Sequence, residues 1–278
     1  MNKFGSTILI LVISLAITSG LSLYSLEADH KIVGGSNAEP NQYPYQISLQ
    51  WNFNETVANP RRPFHFCGGS VINANWILTA AHCKVANLSE FGFIEVVAGE
   101  HHLAFNDTTE QRRQVDRFIL HESYGGGVGP NDIAVIKVNE SFVLNENVTR
   151  INFPERDSIP SGNATLTGWG SMSITERPNA PNILQTVRLP IIEYEECSNL
   201  WNTTQLAASN VCAGELNGSK SGCKGDSGGP LVQTDGDLNV VQIGVVSWGS
   251  FPCGAEDKPG IFVRVSHFVN WIQLKIVS

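Results

Sequence analysis

The chain has 278 residues, of which 42% are hydrophobic and 16% are charged, and its formal net charge at pH 7 is −8. This composition allows a large buried core, so it excludes intrinsic disorder as a description of the whole chain. The 13 prolines and 26 glycines indicate many turns and few long helices. Basic residues form no block longer than Arg61-Arg62 or Arg112-Arg113, so we do not expect nucleic acid as a partner.

The first residues are typical of an exported protein. Lys3 is followed by an apolar run from Ile8 to Ile17 and then by small residues at 18–20. The run is shorter than the ~20 apolar residues that a membrane-spanning helix needs, and its position fits a secretory signal peptide. We therefore predict that residues 1–20 are a signal peptide, that the protein is secreted and extracellular, and that it has no membrane partner.

Short β-rich segments recur along the chain with turn residues between them. They lie at Tyr45–Gln50, Gly69–Ile72, Ile94–Ala98, Ile133–Val138, Gln185–Leu189, Pro230–Gln233, Val240–Ser247 and Gly260–Val265. Strands of this length and spacing are typical of antiparallel barrels or sandwiches. A single small barrel closes with far fewer residues, so we expect two barrels joined by a linker around 145–160. Only the C-terminus has a helical pattern, with Phe268, Ile272 and Ile276 on one apolar stripe.

The cysteines and the glycosylation sequons both agree with export. In an oxidising compartment an even number of cysteines predicts disulfides, although their number alone leaves many pairings open. The six cysteines are Cys67, Cys83, Cys197, Cys212, Cys223 and Cys253. Several Asn-x-Ser/Thr sequons in one secreted chain predict a glycoprotein. The eight sequons are at Asn54, Asn87, Asn106, Asn139, Asn147, Asn163, Asn202 and Asn217.

Three segments carry residues suited to nucleophilic catalysis. Ser227 lies in the sequence GDSGGP at 225–230, and a nucleophilic serine needs the kind of tight, exposed turn that glycines permit. Serine also needs a general base, and His82 in TAAHC offers one. Asp132, at the start of an apolar strand, offers the carboxylate that orients an imidazole. Taken singly, each residue has a simpler interpretation, as a structural histidine, a turn aspartate or a flexible loop.

Taken together, these segments resemble the chymotrypsin-like serine proteases, and the resemblance runs from Ile32 to the C-terminus. The shared motifs, in the order of that family, are Ile32-Val33-Gly34-Gly35, the His82 segment, Asp132, Gly168-Trp169-Gly170, the Ser227 segment, Ser247-Trp248-Gly249 and Pro259-Gly260. The resemblance implies an all-β fold of two perpendicular six-stranded antiparallel β-barrels with a C-terminal helix. It divides the protease domain, residues 32–278, into barrel one at about 32–150, barrel two at about 151–262 and a helix at about 266–277.

The resemblance implies a role for each catalytic candidate. Ser227 is expected to be the nucleophile, His82 the general base and acid, and Asp132 the residue that orients the imidazole. The N–H groups of Gly225 and Ser227 are expected to form the oxyanion hole. The segment Ser247-Trp248-Gly249 matches the edge strand that pairs with the substrate backbone. The family pattern also reduces the cysteine pairings to one set, Cys67–Cys83, Cys197–Cys212 and Cys223–Cys253.

The substrate pocket can be read from the same resemblance. Ser221, six residues before Ser227, matches the pocket floor, where trypsin-like relatives have an aspartate that pairs with a substrate Lys or Arg. Gly249 and Gly260 match the walls and leave the slot open. An open, uncharged slot predicts cleavage after large apolar or aromatic residues. Gly222 departs from the vertebrate pattern, so a broader collagenase-like or elastase-like preference stays open.

Two further residues bear on specificity. Lys224 matches the pocket mouth, where it is a candidate for favouring acidic residues in the substrate, although a solvated lysine is the simpler interpretation. Trp201 matches a position at which chymotrypsin-like members carry tryptophan, which agrees with chymotrypsin-type specificity.

The start of the resemblance predicts a precursor that is activated by cleavage. Lys31-Ile32 is a site for a trypsin-like protease, and residues 21–31 would be the activation propeptide. The new ammonium of Ile32 is expected to turn inward and pair with Asp226, because a buried carboxylate is costly unless it is paired. This pair would complete the oxyanion hole. Before cleavage, His65 together with Ser48 is expected to hold the Asp226 carboxylate.

Other functions remain as alternatives. The first is a non-catalytic secreted binding protein on the same fold, although such proteins usually lose one member of the triad. A calcium loop is a second possibility, because Glu100 and Glu110, with Asp107 between them, match carboxylate positions in some trypsins. We predict no cofactor and no metal. The expected partners are protein and peptide substrates, an activating trypsin-like protease and proteinaceous inhibitors, and the expected state is a monomer.

Overall fold

A computed structural model describes residues 32–54, 63–85, 91–171, 180–236 and 239–277. The predicted signal peptide, the propeptide with Lys31, the Asn87 sequon and Arg61-Arg62 lie outside these ranges. None of the helices in the described part of the chain has the length and hydropathy needed to span a membrane.

The first barrel contains six antiparallel strands. They are β2 (Gln46–Phe53), β3 (Phe64–Asn73), β4 (Trp76–Thr79), β5 (Gly92–Ala98), β6 (Gln111–Leu120) and β7 (Ala134–Val138). Neighbouring strands pair in the order β2-β3-β4-β7-β6-β5, and the pairing of β5 with β2 closes the barrel. Closure leaves no free edge inside the barrel, so every strand has two partners.

The second barrel repeats this plan. Its strands are β8 (Asn163–Gly168), β9 (Gln185–Ile192), β10 (Asn210–Ala213), β11 (Pro230–Thr234), β12 (Val240–Trp248) and β13 (Gly260–Arg264). The order β9-β10-β13-β12-β11-β8 is closed by the pairing of β8 with β9, and a two-residue strand, β1 (Ser36–Asn37), adds to β9. The predicted fold of two six-stranded barrels is confirmed.

Each barrel has its own apolar core. Ile47 and Leu49 of β2 are fully buried in the first core, as the alternating pattern of a strand requires. Ser48 and Gln50 lie on the other face of β2 and are also buried, so this strand is covered on both sides. The second core contains Ile32 together with residues of strands β8 to β13, among them Leu166, Leu231 and Phe262.

Two helices accompany the barrels. The C-terminal helix α2 (Val265–Ile276) was predicted, and its stripe residues Phe268 and Ile272 are buried in the first core. Helix α1 (Tyr194–Trp201) was not predicted, and the expectation of a single helix is wrong. The helix has only eight residues, of which only Cys197 is buried, so its apolar pattern was too short to be recognised in the sequence.

The two barrels are joined by buried hydrogen bonds between polar side chains. The Thr167 hydroxyl donates to the Gln46 side chain at 2.6 Å, and the Ser70 hydroxyl donates to the Gln242 side chain at 2.5 Å. All four residues are buried, and a buried polar group that lacks a partner is costly. These bonds fix one barrel against the other next to the loops that carry the candidate site.

Candidate active site

His82 lies in a short 3-10 turn, Ala81–Cys83, directly after β4. The disulfide Cys67–Cys83 ties this turn to β3. The Thr79 hydroxyl also donates to the Gly68 carbonyl at 2.8 Å. The turn is therefore held at both ends, while the His82 side chain stays 27% exposed at the seam between the barrels.

Asp132 lies beneath His82, and its carboxylate is almost fully buried. Its Oδ2 atom lies 2.7 Å from His82 Nδ1, and its Oδ1 atom accepts the His82 backbone N–H at 2.9 Å. The Ser247 hydroxyl donates to the same Oδ2 atom at 2.6 Å, a contact that the sequence did not reveal. Because Nδ1 must carry the proton that faces the carboxylate, Nε2 of neutral His82 is left as an acceptor.

Ser227 lies on a turn that packs tightly against the His82 turn. The Gly68 N–H donates to the Ser227 carbonyl at 2.7 Å, and Cys83 Sγ lies 3.6 Å from the same oxygen. Gly228 has φ +77°, and a Cβ there would lie 2.2 Å from Thr79 Oγ1. Only glycine allows the backbone at position 228 to come this close to Thr79. The close contact brings the serine turn of the second barrel against the histidine turn of the first.

The Asp226 carboxylate, next to Ser227, is fully buried. Its oxygens accept the backbone N–H groups of Gly170 at 2.8 Å and Cys223 at 2.9 Å. A Cβ at Gly168 or Gly170 would lie 2.3 Å from this carboxylate, which explains both glycines of that motif. Burial raises the pKa of Asp226 to about 6, although the two N–H donors act in the opposite direction.

The Ile32 segment is packed against the same region. Ile32 is fully buried in the second core, and the Val33 carbonyl accepts the Ser221 N–H at 3.2 Å. Gly34 has φ +74°, and a Cβ there would lie 2.3 Å from the Ser219 carbonyl oxygen. The segment thus follows a path that requires glycine at this position.

In this structure His65 contacts Gly225 rather than Asp226, and the contact expected between His65 and Asp226 in the uncut precursor stays a prediction. The Ser48 hydroxyl does lie 2.9 Å from His65 Nδ1, but His65 Nε2 lies 2.9 Å from the Gly225 carbonyl oxygen. The Asp226 oxygens face the N–H groups of Gly170 and Cys223 instead. Burial lowers the pKa of His65 to about 4, so its ring is neutral at neutral pH.

A cavity of about 240 Å³ opens beside Ser227. The residues of the second barrel that line it include Val246, Ile261 and Phe262, and the described residues that line it include no Asp or Glu. Gly222 lines the cavity, and the buried Ser221 next to it donates its hydroxyl to the Gly222 carbonyl at 2.9 Å. The place of Ser221 at the pocket floor stays a prediction. Phe262 was missed in the sequence.

The remaining pocket candidates lie around the cavity mouth. Ser247, Trp248, Gly249 and Gly260 all line it, and a Cβ on Gly249 would lie 3.9 Å from Gly260 Cα. These two positions therefore face each other, and side chains there would narrow the slot. The Trp248 ring packs edge-on against Trp201 with centroids 4.7 Å apart.

Lys224 also lines the mouth, where its Nζ lies 4.0 Å from the centroid of the Phe251 ring. Phe251 is 52% exposed. A cation over an aromatic face is attracted by the ring, so the Lys224 ammonium is held near the rim of the cavity.

The carboxylates considered as calcium ligands are already engaged in hydrogen bonds and an ion pair within the protein. Asp107 Oδ2 accepts the N–H groups of His101 and His102 at 2.7 and 2.8 Å, and Glu110 Oε2 lies 2.8 Å from the Arg112 guanidinium. Calcium requires about six or more oxygen ligands, but here a guanidinium lies among the carboxylates. The arrangement does not fit a calcium ion. Cys67, His82 and Cys83 are also close together, but the two sulfurs are bonded to each other.

Glu100 is buried beside this group, and Gln50 Nε2 donates to its Oε2 atom at 2.6 Å. Burial, with Glu110 and Asp107 adding to it, raises the pKa of Glu100 to about 8, while Arg112 and Ser48 act in the opposite direction. The carboxyl is therefore protonated at neutral pH, and no uncompensated charge is buried.

Known proteins resemble the chain over almost all of its described length. The sequence model of the family described as Trypsin matches residues 32–272. The chain is 37% identical over 247 residues to "Trypsin-1" of Astacus astacus, which covers 88% of this chain and 100% of that protein. It is 37% identical over 254 residues to "Trypsin" of Xenopus laevis, with 91% and 94% covered. It is 36% identical over 250 residues to "Anionic trypsin" of Canis lupus familiaris, with 90% and 91% covered.

The Glu100 carboxyl predicts a pH dependence of stability. The pKa of Glu100 is about 8 in the folded chain, against an ordinary value of 4.5 for glutamate. Between these two pH values the folded chain therefore binds more protons than the unfolded chain. The stabilisation is present below pH 4.5 and is lost as the pH rises through about 8. We expect the unfolding free energy of Glu100→Gln, measured in urea, to fall less from pH 5 to 8 than that of the parent. The control is Glu146→Gln, at an exposed position, which should behave like the parent. If the unfolding free energy of Glu100→Gln fell by as much as that of the parent, the raised pKa of Glu100 would be contradicted.

Proposed function

The chain belongs to the trypsin family of serine proteases, and we propose that it is a secreted endopeptidase that cleaves after large apolar or aromatic residues. Membership of this family makes it a serine endopeptidase, so its substrates are proteins and peptides. The bonded pair of His82 and Asp132, 2.7 Å apart below the serine turn, is the observation that carries the assignment of the catalytic residues.

In the proposed mechanism, Ser227 attacks the carbonyl carbon of the cut bond and His82 Nε2 removes the serine proton. Asp132 holds the imidazole in the tautomer that leaves Nε2 free to accept, and it stabilises the imidazolium that forms. The Ser247 hydroxyl and the His82 N–H hold the Asp132 carboxylate in its orientation. His82 then protonates the leaving amine, and water releases the acyl group from Ser227 by the same steps.

Gly225 and Ser227 supply the N–H donors for the oxyanion in this proposal. The support comes from the backbone of the turn. Gly225 has φ +101°, a region that favours glycine. The Lys224 carbonyl, on the same peptide plane as the Gly225 N–H, accepts the Ser171 N–H at 2.7 Å. That bond holds the plane and with it the direction of the Gly225 N–H group.

The proposed preference for apolar residues rests on the walls of the cavity. Phe262, Ile261 and Val246 offer apolar contact, and a substrate Lys or Arg would enter without a carboxylate partner on the described lining. The relatives named trypsins favour the alternative of a basic preference. Lys224 opposes it, because its ammonium lies at the cavity mouth and repels a cationic side chain. A broader collagenase-like or elastase-like preference is a further alternative.

We also propose export as a precursor that is cut after Lys31 by a trypsin-like protease. Three disulfides support an oxidising compartment. The raised pKa of Asp226 supports the need for a cation, because a buried carboxylate with only N–H donors holds its proton up to about pH 6. The new ammonium of Ile32 would supply that charge. Proteinaceous inhibitors and a monomeric state complete the proposal.

Replacing Ser227 or His82 by Ala should lower kcat by about a million-fold and leave the melting temperature nearly unchanged. The double variant should be no slower than either single variant, because the two residues act as one unit. Hydrolysis of a peptide ester measures this, with exposed Ser123→Ala as the control. A Ser227→Ala enzyme that hydrolyses the ester at nearly the parent rate would disprove the assignment.

Profiling on a peptide library should show faster cleavage after Phe or Tyr than after Arg. Ser221→Asp introduces a carboxylate behind Gly222 and should raise kcat/KM for Arg substrates relative to Phe by about tenfold. Ser221→Asn, which has the same size without the charge, is the matched control and should not do so. A parent enzyme that prefers Arg would show that the proposed specificity is wrong.

Cleavage after Lys31 should switch the enzyme on. Activity and the N-terminal sequence are followed together while the purified precursor is treated with trypsin, and activity should appear in step with chains that begin at Ile32. Lys31→Gln, which trypsin does not cut, is the control and should stay inactive. Full activity in a chain that still begins before Ile32 would contradict the activation mechanism.

A further inference from the structure

The Gly225 residue is held from outside its own turn by a contact that the catalytic mechanism does not use. His65 Nε2 lies 2.9 Å from the Gly225 carbonyl oxygen. A carbonyl can only accept, so His65 carries its proton on Nε2. The ring is neutral at neutral pH because burial lowers its pKa to about 4. Nδ1 of His65 is therefore an acceptor, and it needs a donor.

Ser48 supplies that donor, and Gln50 supports Ser48 in turn. The Ser48 hydroxyl lies 2.9 Å from His65 Nδ1, so its only proton is directed there. The Ser48 oxygen then accepts from Gln50 Nε2 at 3.2 Å. Glu100 beside them does not compete for the Ser48 proton at neutral pH, because its raised pKa leaves it protonated.

Arg112 fixes the other end of this series. Its Nη1 atom lies 3.0 Å from Gln50 Oε1. Arginine has donors and no acceptor, so the atom of Gln50 that faces it must be the oxygen, and the nitrogen must face Ser48. Arg112 is itself held by Glu95 at 2.9 Å and by Glu110 at 2.8 Å.

Every bond from Arg112 to Gly225 thus has a single allowed direction. The pure donor at one end and the pure acceptor at the other determine each proton between them, through Gln50, Ser48 and His65. Ser48 and Gln50 are buried, and in a buried series each bond polarises the next. The last bond, from His65 Nε2, holds the carbonyl of Gly225, whose N–H is the proposed donor to the oxyanion.

We propose that Gln50 and Ser48 are positioning residues for the oxyanion hole, acting through the hydrogen-bond relay Arg112–Gln50–Ser48–His65–Gly225. This proposal rests on the proposed catalytic role of Gly225, but not on the proposed substrate preference. The relay connects the polar group around Glu100 in the first barrel to the turn of Ser227 in the second. The relay orients the Gly225 N–H toward the negative charge that develops on the substrate oxygen only in the transition state. Loss of the relay should therefore reduce kcat and leave KM unchanged.

Gln50→Glu is the sharpest variant, because it keeps the size of the side chain and the acceptor for Arg112 but removes the donor to Ser48 and to Glu100. The matched control is Gln233→Glu, the same change in β11 of the second barrel. The Gln233 side chain donates to the Ser161 carbonyl at 2.7 Å and to the Asn163 carbonyl at 2.9 Å, so it is outside the relay. Both enzymes are assayed on the library peptide that the parent cleaves fastest. End-point labelling with diisopropyl fluorophosphate counts the active sites.

We expect Gln50→Glu to lower kcat per labelled site by about tenfold, less than the 100-fold or more for a lost oxyanion donor, with KM within about twofold. The rate of labelling by diisopropyl fluorophosphate should fall in parallel, because it uses the same donors, and Gln233→Glu should change neither rate. If Gln50→Glu does not fold, Ser48→Ala tests the same bond to His65 and should give the same loss.

An unchanged kcat per labelled site in Gln50→Glu, with only a lower melting temperature, would overturn the proposal and leave Gln50 a purely structural residue. An equal loss of kcat in Gln233→Glu would also overturn it. A parent enzyme that is not labelled at Ser227 would instead reject the proposed function, so the two failures are distinguishable.

Discussion

The Asp226 carboxylate is the constraint around which the site is arranged. It is fully buried next to Ser227, and burial of a carboxylate without a cation is costly. The chain responds locally with two backbone N–H donors, from Gly170 and Cys223, and with the space that glycines at 168 and 170 provide. These donors do not remove the cost, since the pKa of the carboxyl stays raised to about 6. A cation supplied by cleavage would remove it.

The same turn is stabilised from both barrels. The first barrel contributes the Gly68 N–H to the Ser227 carbonyl and the His65 ring to the Gly225 carbonyl. The second barrel contributes the Ser171 N–H to the Lys224 carbonyl. Three carbonyls of the serine turn, those of Lys224, Gly225 and Ser227, are therefore held by residues distant in sequence. This arrangement explains why a site at a seam between two closed barrels can be rigid: its precision comes from the barrels rather than from the loop.

Local sequence patterns predicted a β-rich chain with two barrels and gave His82, Asp132 and Ser227 as candidates, because glycine-rich turns and alternating strands leave short-range signals. The number of strands and the role of each candidate came from the family resemblance. Local patterns did not predict the contact of Ser247 with Asp132, which joins residues 115 positions apart. They also did not predict the bond of the Ser221 hydroxyl to the Gly222 carbonyl or that of the His65 ring to the Gly225 carbonyl. Such pairings depend on tertiary distances that no spacing along the chain contains. Strand β6, which begins Gln-Arg-Arg-Gln, was missed because its polar residues conceal the alternation.

The most direct test of the central constraint is the titration of the Asp226 carboxyl itself, before and after the chain is cut at Ile32. Carbon-13 NMR of aspartate labelled at the carboxyl carbon measures it, with the Asp226→Asn variant to assign the signal. The account predicts titration near pH 6 in the uncut chain and a shift to below about pH 4 after cleavage, because an opposite charge nearby lowers the pKa of a carboxyl. A carboxyl that titrates at the same pH in both forms would contradict it.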